Sequence, residues 1–163
     1  MARVNPIPEG MHTVTPNLVL RDCAKAIEFY KKALGATEVA RFQAPDGKSI
    51  WHAELKVGDS VVYLNDEMPG MTPTPPDTAH RAPVTMWLYV NDADAAYKRA
   101  VDAGGKSISE PTDMFWGDRC AAVADPYGYA WSFATNKKDM TQEEMRRAGE
   151  AFARQQQEHP QGR

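Results

Sequence analysis

Two ionisable side chains, His52 and Glu54, stand two positions apart in the segment HAELKVGDSVVYLND, residues 52–66. Side chains alternate along a β-strand, so this spacing puts both on one face of a single strand. An imidazole can accept a proton near neutral pH, and apolar surroundings raise the pKa of a carboxyl group. The pair therefore suits acid and base catalysis on a carbonyl substrate. It equally suits a hydrogen-bonded pair at the rim of a cavity, with no catalytic role.

An internal repeat supplies the elements that would position this pair. The segment VTPNLVLRD at residues 14–22 returns as VTMWLYVND at residues 84–92, a period of 70 residues. In each copy, an apolar strand leads to Asp22 or Asp92, which stands where a helix N-cap belongs. Apolar residues at helical spacing follow, then glycine, then three further strand patterns. The sequence therefore predicts an α+β fold built from two tandem β-α-β-β-β modules.

The composition of the chain changes at the borders of these modules. Residues 66–83 hold five prolines, which exclude a regular helix and favour a linker or a lid. Thr141 and Glu144 have the spacing of a capping box, which predicts a helix after the second module. The predicted organisation is an N-terminal arm (1–12), a first module (13–65), the proline-rich linker (66–83), a second module (84–136), and a C-terminal helix with a tail (137–163).

Charge and cysteine usage limit the partners that the chain can have. The net charge of -3 argues against nucleic acid and against an anionic membrane surface, because both favour basic proteins. No apolar run approaches the roughly 20 residues that a membrane helix needs, and the N-terminus lacks the apolar stretch of a signal peptide. Cys23 and Cys120 form no CxxC motif. We expect two reduced thiols in a cytoplasmic protein.

Four segments resemble the vicinal oxygen chelate superfamily, which includes glyoxalase I, bleomycin-resistance proteins and extradiol dioxygenases. They are AIEFYKKALGA (26–36), HAELKVGDSVVYLND (52–66), FWGDR (115–119) and DPYGYAWSFAT (125–135). The resemblance covers about residues 12–145 and is strongest to the PhnB-like branch of glyoxalase-like proteins. It implies that the two modules form a cup-shaped half-barrel around a small organic molecule. It also implies a homodimer, because the cup of such proteins is often completed by a second copy.

The resemblance also implies where a divalent metal would bind. In relatives that use a metal, His, Gln or Glu residues occupy four positions, which correspond here to Thr15, Val62, Thr85 and Ser132. Valine cannot coordinate a metal, and neutral hydroxyl groups bind Zn, Ni or Fe(II) poorly. We therefore expect no metal cofactor.

The turns of the last hairpins predict which side chains face the cup. Glycine at the third position of Lys56-Val57-Gly58 predicts a three-residue turn, which places Val62 opposite His52. The same reasoning places Ser132 opposite Ala122. Trp51, Ala53, Leu55, Val61 and Tyr63 are then expected to face the helix. The predicted ligand-binding residues are Thr15, Asn17, Val62, Thr85, Trp87, Tyr89, Trp116, Ala122 and Ser132, beside His52 and Glu54 as the candidate catalytic pair.

Four functions fit these patterns. The first is binding of a small molecule without metal, in the manner of a drug-resistance protein. The second is a metal-dependent lyase, isomerase or dioxygenase of the glyoxalase type. The third is a metal-free enzyme that uses His52 and Glu54 as acid and base. The fourth is a dimeric interaction module that engages another protein through its C-terminal helix.

Overall fold

The computed structural model describes residues 5–158, which form three helices and eight strands. Residues 159–163 of the predicted tail and residues 1–4 of the predicted arm lie outside this range. The elements are β1 (Asn17–Leu20), α1 (Cys23–Leu34), β2 (Thr37–Gln43), β3 (Ile50–Val57), β4 (Ser60–Asp66), β5 (Thr85–Tyr89), α2 (Ala93–Asp102), β6 (Lys106–Asp113), β7 (Asp118–Ala124), β8 (Ala130–Asn136) and α3 (Gln142–Glu158).

The repeat is visible in the two sheets, which have the same strand order. The first sheet runs β1-β4-β3-β2 and the second runs β5-β8-β7-β6. In each sheet the first strand pairs in parallel with the last, and the other neighbours are antiparallel. The predicted α+β fold with two β-α-β-β-β modules and a C-terminal helix is confirmed.

Both module helices begin at the aspartates that the sequence indicates. The carboxylate of Asp22 accepts a hydrogen bond from the Lys25 backbone N–H at 3.1 Å, and Asp92 accepts one from Ala95 at 3.0 Å. Each carboxylate thus satisfies an amide that has no partner within its helix. Gly35 ends α1 with a φ of 68°, a left-handed conformation that glycine adopts without a steric penalty.

The two modules pack through the sides that carry their helices. The ring of Tyr30 on α1 lies 5.2 Å from that of Trp131 on β8, which belongs to the helix-covered side of the second sheet. The buried carboxylate of Asp125 accepts a hydrogen bond from the Tyr30 hydroxyl at 2.7 Å and from Trp131 Nε1 at 2.9 Å. We call the side of each sheet opposite its helix the open face. Because the helix sides meet, the two open faces of one chain point away from each other.

A tyrosine from the second module closes the free edge of β1. The Tyr129 hydroxyl accepts a hydrogen bond from the Val19 N–H at 3.1 Å and donates one to the Val19 carbonyl at 2.9 Å. β1 is an edge strand, so this backbone pair would otherwise lack a partner in its sheet. One buried side chain therefore completes the hydrogen bonding of the first module.

The linker and the C-terminal helix both contact the body of the protein. In the linker, the Ala82 N–H donates to the Gly128 carbonyl at 2.9 Å, and a Cβ added at Gly128 would lie 2.6 Å from the Asp77 carbonyl oxygen. The predicted capping box of α3 is confirmed, because Thr141 and Glu144 hydrogen-bond each other's backbone N–H. None of the helices described is long and apolar enough to cross a membrane.

Candidate functional site

The turn between β3 and β4 has two residues, so the three-residue prediction for the first module is wrong. Val57 pairs with Ser60, and Leu55 stands opposite Val62. Gly58, with a φ of 62°, suits a two-residue turn as well as it suits a three-residue one. The change moves the register of β4 by an odd number of residues, which exchanges its two faces. In the second module, Ala122 stands opposite Ser132 as predicted.

Val62 is therefore not part of the open face. It is 7% exposed and packs in the core with Leu55 and Leu64. Tyr63, which was expected under the helix, stands on the open face beside Glu54, its partner in β3. The prediction for Trp51 is also wrong: the side chain is 51% exposed, at a register shift that sets Phe42 opposite His52 and Gln43 opposite Ile50. A β-bulge of this kind turns a side chain away from its expected face.

The strand pairings also correct the four positions that correspond to the family metal site. Asn17 pairs with Tyr63 in the first sheet, and Trp87, its repeat equivalent, pairs with Ser132 in the second. Tyr63 is thus the counterpart of Ser132, and Thr15, Tyr63, Thr85 and Ser132 form the corrected set. These four side chains offer only neutral hydroxyl groups, which do not fit a divalent transition metal. Within residues 5–158, no three His, Cys, Asp or Glu side chains group closely enough to hold a metal ion.

The open face of the first sheet carries the candidate catalytic pair. His52 Nε2 lies 3.1 Å from Glu54 Oε1, and their side chains are 33% and 26% exposed. The ring of Tyr63 meets the imidazole edge-on at 4.6 Å, and Phe42 lies 6.1 Å away on the other side. The histidine is thus held between two aromatic rings while it keeps access to water. The two side chains are thus within hydrogen-bond distance of each other.

The open face of the second sheet has a floor of small residues beneath aromatic side chains. The small residues are Cys120, Ala122, Ser132 and Ala134, which pair across β7 and β8. Trp87 and Tyr89 rise from β5 with exposures of 48% and 69%. Trp87, Tyr89, Ala122 and Ser132 thus share the face opposite the helix, and their role in ligand binding stays a prediction. The face combines small side chains with flat aromatic ones.

Asp118 is a residue of this face that the sequence prediction missed. Its Oδ2 accepts a hydrogen bond from the Tyr89 hydroxyl at 3.2 Å and one from Trp116 Nε1 at 3.1 Å. The hydrogen bond to this carboxylate raises the pKa of Tyr89. Asp118 forms no ion pair with the neighbouring Arg119, which binds Asp94 and Asp113 instead. Strand alternation could have found this, because it puts Asp118 on the face of Cys120 and Ala122 and Arg119 on the other.

A groove of about 1000 Å³ runs along β5 between the two modules. Thr15, Thr85, Trp87 and Tyr89 of the predicted ligand set line it, together with the buried Val62. Asn17, Trp116, Ala122, Ser132, His52 and Glu54 lie outside it. The structure thus divides the predicted site between the groove and the two open faces. Strands β1 and β5 do not pack against each other within the chain described here.

Comparisons with known proteins agree with this architecture. Residues 11–133 match the model of the Glyoxalase/Bleomycin resistance protein/Dioxygenase superfamily. The chain is 40% identical over 141 residues to the uncharacterized protein Mb0911c of Mycobacterium bovis, which covers 83% of this chain and 90% of the relative.

Solved structures show the same fold. The Arabidopsis thaliana gene product At5g48480 is 28% identical with a TM-score of 0.61, covering 76% of this chain and 98% of that one. TioX from Micromonospora sp. ML1 is 23% identical with a TM-score of 0.62, covering 77% of this chain and 98% of that one. At this identity, the likeness to TioX concerns the fold alone.

Proposed function

Because the chain belongs to the Glyoxalase/Bleomycin resistance protein/Dioxygenase superfamily, we propose that it binds a small, planar organic molecule without using a divalent metal. The observation that carries the proposal is the open face of the second sheet. There Trp87 and Tyr89 stand largely exposed above a floor of alanine and serine side chains. Exposed aromatic rings beside small side chains suit the stacking of a flat ligand.

The metal-free part of the proposal rests on the chemistry of the donors. The metal reaction of the family needs a cation that polarises substrate oxygens. Thr15, Tyr63, Thr85 and Ser132 offer that cation neither an imidazole nor a carboxylate. A metal-dependent lyase, isomerase or dioxygenase of the glyoxalase type is therefore the weaker alternative. Cytoplasmic localisation belongs to the same proposal and is supported by the two free, buried cysteines.

The proposed cup forms between two copies of the chain. The open faces of one chain point apart, and the groove along β5 leaves Trp87 exposed at 48% and Tyr89 at 69%. Val14, before β1, is 80% exposed, and Val84, before β5, is 48% exposed. A second copy would cover these apolar side chains by setting its first sheet opposite the second sheet of its partner. Each of the two resulting cups then has one wall from each copy.

Isothermal titration calorimetry with 2-naphthalenemethanol, a neutral planar probe, tests this proposal. The Ala122→Phe variant should abolish the binding seen in the wild type, because a phenyl ring would fill the space above the floor. Ala122→Ser is the matched control and should bind like the wild type. Binding that persists in Ala122→Phe, or a wild type that binds nothing, contradicts the proposal.

Ala122→Phe, combined with a second variant, also tests whether the cup forms between two copies. Asn17→Trp blocks the wall that the first sheet contributes, since Asn17 pairs with Tyr63 next to the open face. Asn17→Trp and Ala122→Phe chains are mixed in equal amounts, unfolded and refolded together. In each mixed dimer, one of the two cups has two unaltered walls. Since about half of the dimers are mixed, about a quarter of all binding sites should be restored. If the cup closes within one chain, the mixture binds nothing.

A second candidate function is supported by the His52–Glu54 contact. The pair, at 3.1 Å, can act as base and acid on a carbonyl substrate. Once a carbonyl substrate is identified, His52→Gln should remove its turnover and leave its binding intact. Unchanged turnover would eliminate this candidate and leave binding as the function.

A further inference from the structure

Asp118 is a nearly buried carboxylate that uses only one of its two oxygens. The residue is 7% exposed, and both side-chain hydrogen bonds, from Tyr89 and from Trp116, reach Oδ2. Among the described residues, no side chain donates to Oδ1, and no Lys, Arg or His forms an ion pair with this carboxylate. The neighbouring cation, Arg119, is held on the other side of the sheet by Asp94 and Asp113.

The surroundings of Asp118 keep its carboxylate in place. The Tyr89 hydroxyl reaches it from β5, two strands away, so the tyrosine side chain lies across β8, where Ala134 is fully buried. Trp116 approaches from the turn before β7. A carboxylate held by two aromatic donors loses little conformational freedom on binding a ligand, which favours affinity.

The geometry points to a ligand with a cationic nitrogen, which pairs with Asp118 Oδ1 while its flat part stacks on the aromatic side chains. A poorly hydrated carboxylate attracts a positive charge more strongly than an exposed one does. The π-faces of tryptophan and tyrosine attract the same charge. An anionic ligand would be repelled on both counts. This inference rests on the proposed function and narrows it to organic ammonium or guanidinium compounds.

Three probes that share the naphthalene ring test the inference by calorimetry at low salt: 2-naphthylmethylammonium, 2-naphthalenemethanol and 2-naphthoate. The cation should bind about tenfold to a hundredfold more tightly than the neutral alcohol, the range expected for a hydrogen bond between charged groups. The carboxylate should bind most weakly. The preference for the cation should fall as salt is added, because salt screens partly exposed charges.

Asp118→Asn is the decisive variant. The amide keeps an oxygen for Tyr89 and Trp116 and replaces the free oxygen by an NH₂ group, which cannot accept a cation. The cation should then bind no better than the alcohol. Asp113→Asn is the matched control, because it removes a carboxylate on the other side of the same sheet and should leave the preference intact. Should Asp118→Asn fail to fold by circular dichroism, Asp118→Ser replaces it, because it also removes the carboxylate and should likewise remove the preference for the cation.

The outcomes separate this inference from the proposed function. If all three probes bind equally and Ala122→Phe abolishes them, the inference is overturned and the cup stands. A cation preference that survives in Asp118→Asn also overturns the inference. If none of the probes binds to the wild type, the proposed function itself fails.

Discussion

Tyr89 connects three features of the second open face. The residue is 69% exposed, its hydroxyl donates to Asp118, and its side chain lies across β8, the strand next to the one that carries Cys120. Cys120 is only 9% exposed, and burial raises the pKa of its thiol. A single aromatic side chain therefore covers part of the floor while it presents a surface to a ligand.

Removing this ring should make Cys120 reactive. In Tyr89→Ala the thiol gains access to water, so its pKa should fall and its reaction with 5,5′-dithiobis(2-nitrobenzoate) at pH 8 should accelerate. Cys23 serves as the internal control, because burial raises its thiol pKa to about 12 and keeps it unreactive in the folded protein. Tyr89→Phe keeps the ring and should protect Cys120. An unchanged rate in Tyr89→Ala would show that the ring does not cover the floor.

At the scale of the elements, the turn before β8 joins the two modules, and the two sheets described here do not contact each other directly. Asp125 accepts hydrogen bonds from the Tyr127 and Tyr129 backbone N–H groups as well as from Tyr30 and Trp131. These bonds fix the turn that carries the Tyr129 hydroxyl to the edge of β1. The buried contact between modules is thus polar and specific, with an apolar core around it.

Tyr129→Phe should destabilise the fold measurably. The change leaves the N–H and the carbonyl of Val19 buried without a partner, which costs about 1–3 kcal/mol of the free energy of unfolding. Urea denaturation followed by circular dichroism measures this loss. Tyr127→Phe is the control. The Tyr127 ring packs 6.0 Å from Phe29, and its hydroxyl makes no hydrogen bond within the described residues. The stability of this variant should therefore stay near that of the wild type. Equal losses in the two variants would refute the role of the Tyr129 hydroxyl.

Sequence patterns predicted the order and the type of these elements because each follows from local chemistry. Asp22 and Asp92 cap helices through contacts with residues close in the sequence. Apolar periodicity indicates which side of each helix or strand is buried. The register of the first hairpin was mispredicted because Gly58 suits a turn of two residues or of three. The contacts of Asp118 with Tyr89 and of Tyr129 with Val19 could not be predicted, since both hydrogen bonds join residues far apart in the chain. The sequence therefore predicted the strands that carry the site, but it did not predict the role of the Asp118 carboxylate.

At the scale of the whole molecule, one chain presents two open faces, each with its own set of candidate site residues. The first open face offers His52, Glu54 and Tyr63, and the second offers Trp87, Tyr89 and Asp118. The proposed dimer would set these faces opposite each other and bring the His52–Glu54 pair close to the stacking site.

The most direct test of the central claim is the affinity for 2-naphthalenemethanol with and without metal. Wild-type protein dialysed against a chelator is titrated by calorimetry, and the titration is repeated after Zn²⁺ or Ni²⁺ is added. We predict the same dissociation constant in both experiments, because Thr15, Tyr63, Thr85 and Ser132 cannot hold the cation. Binding that appears only with a stoichiometric metal would contradict the account and establish a metal site of the glyoxalase type.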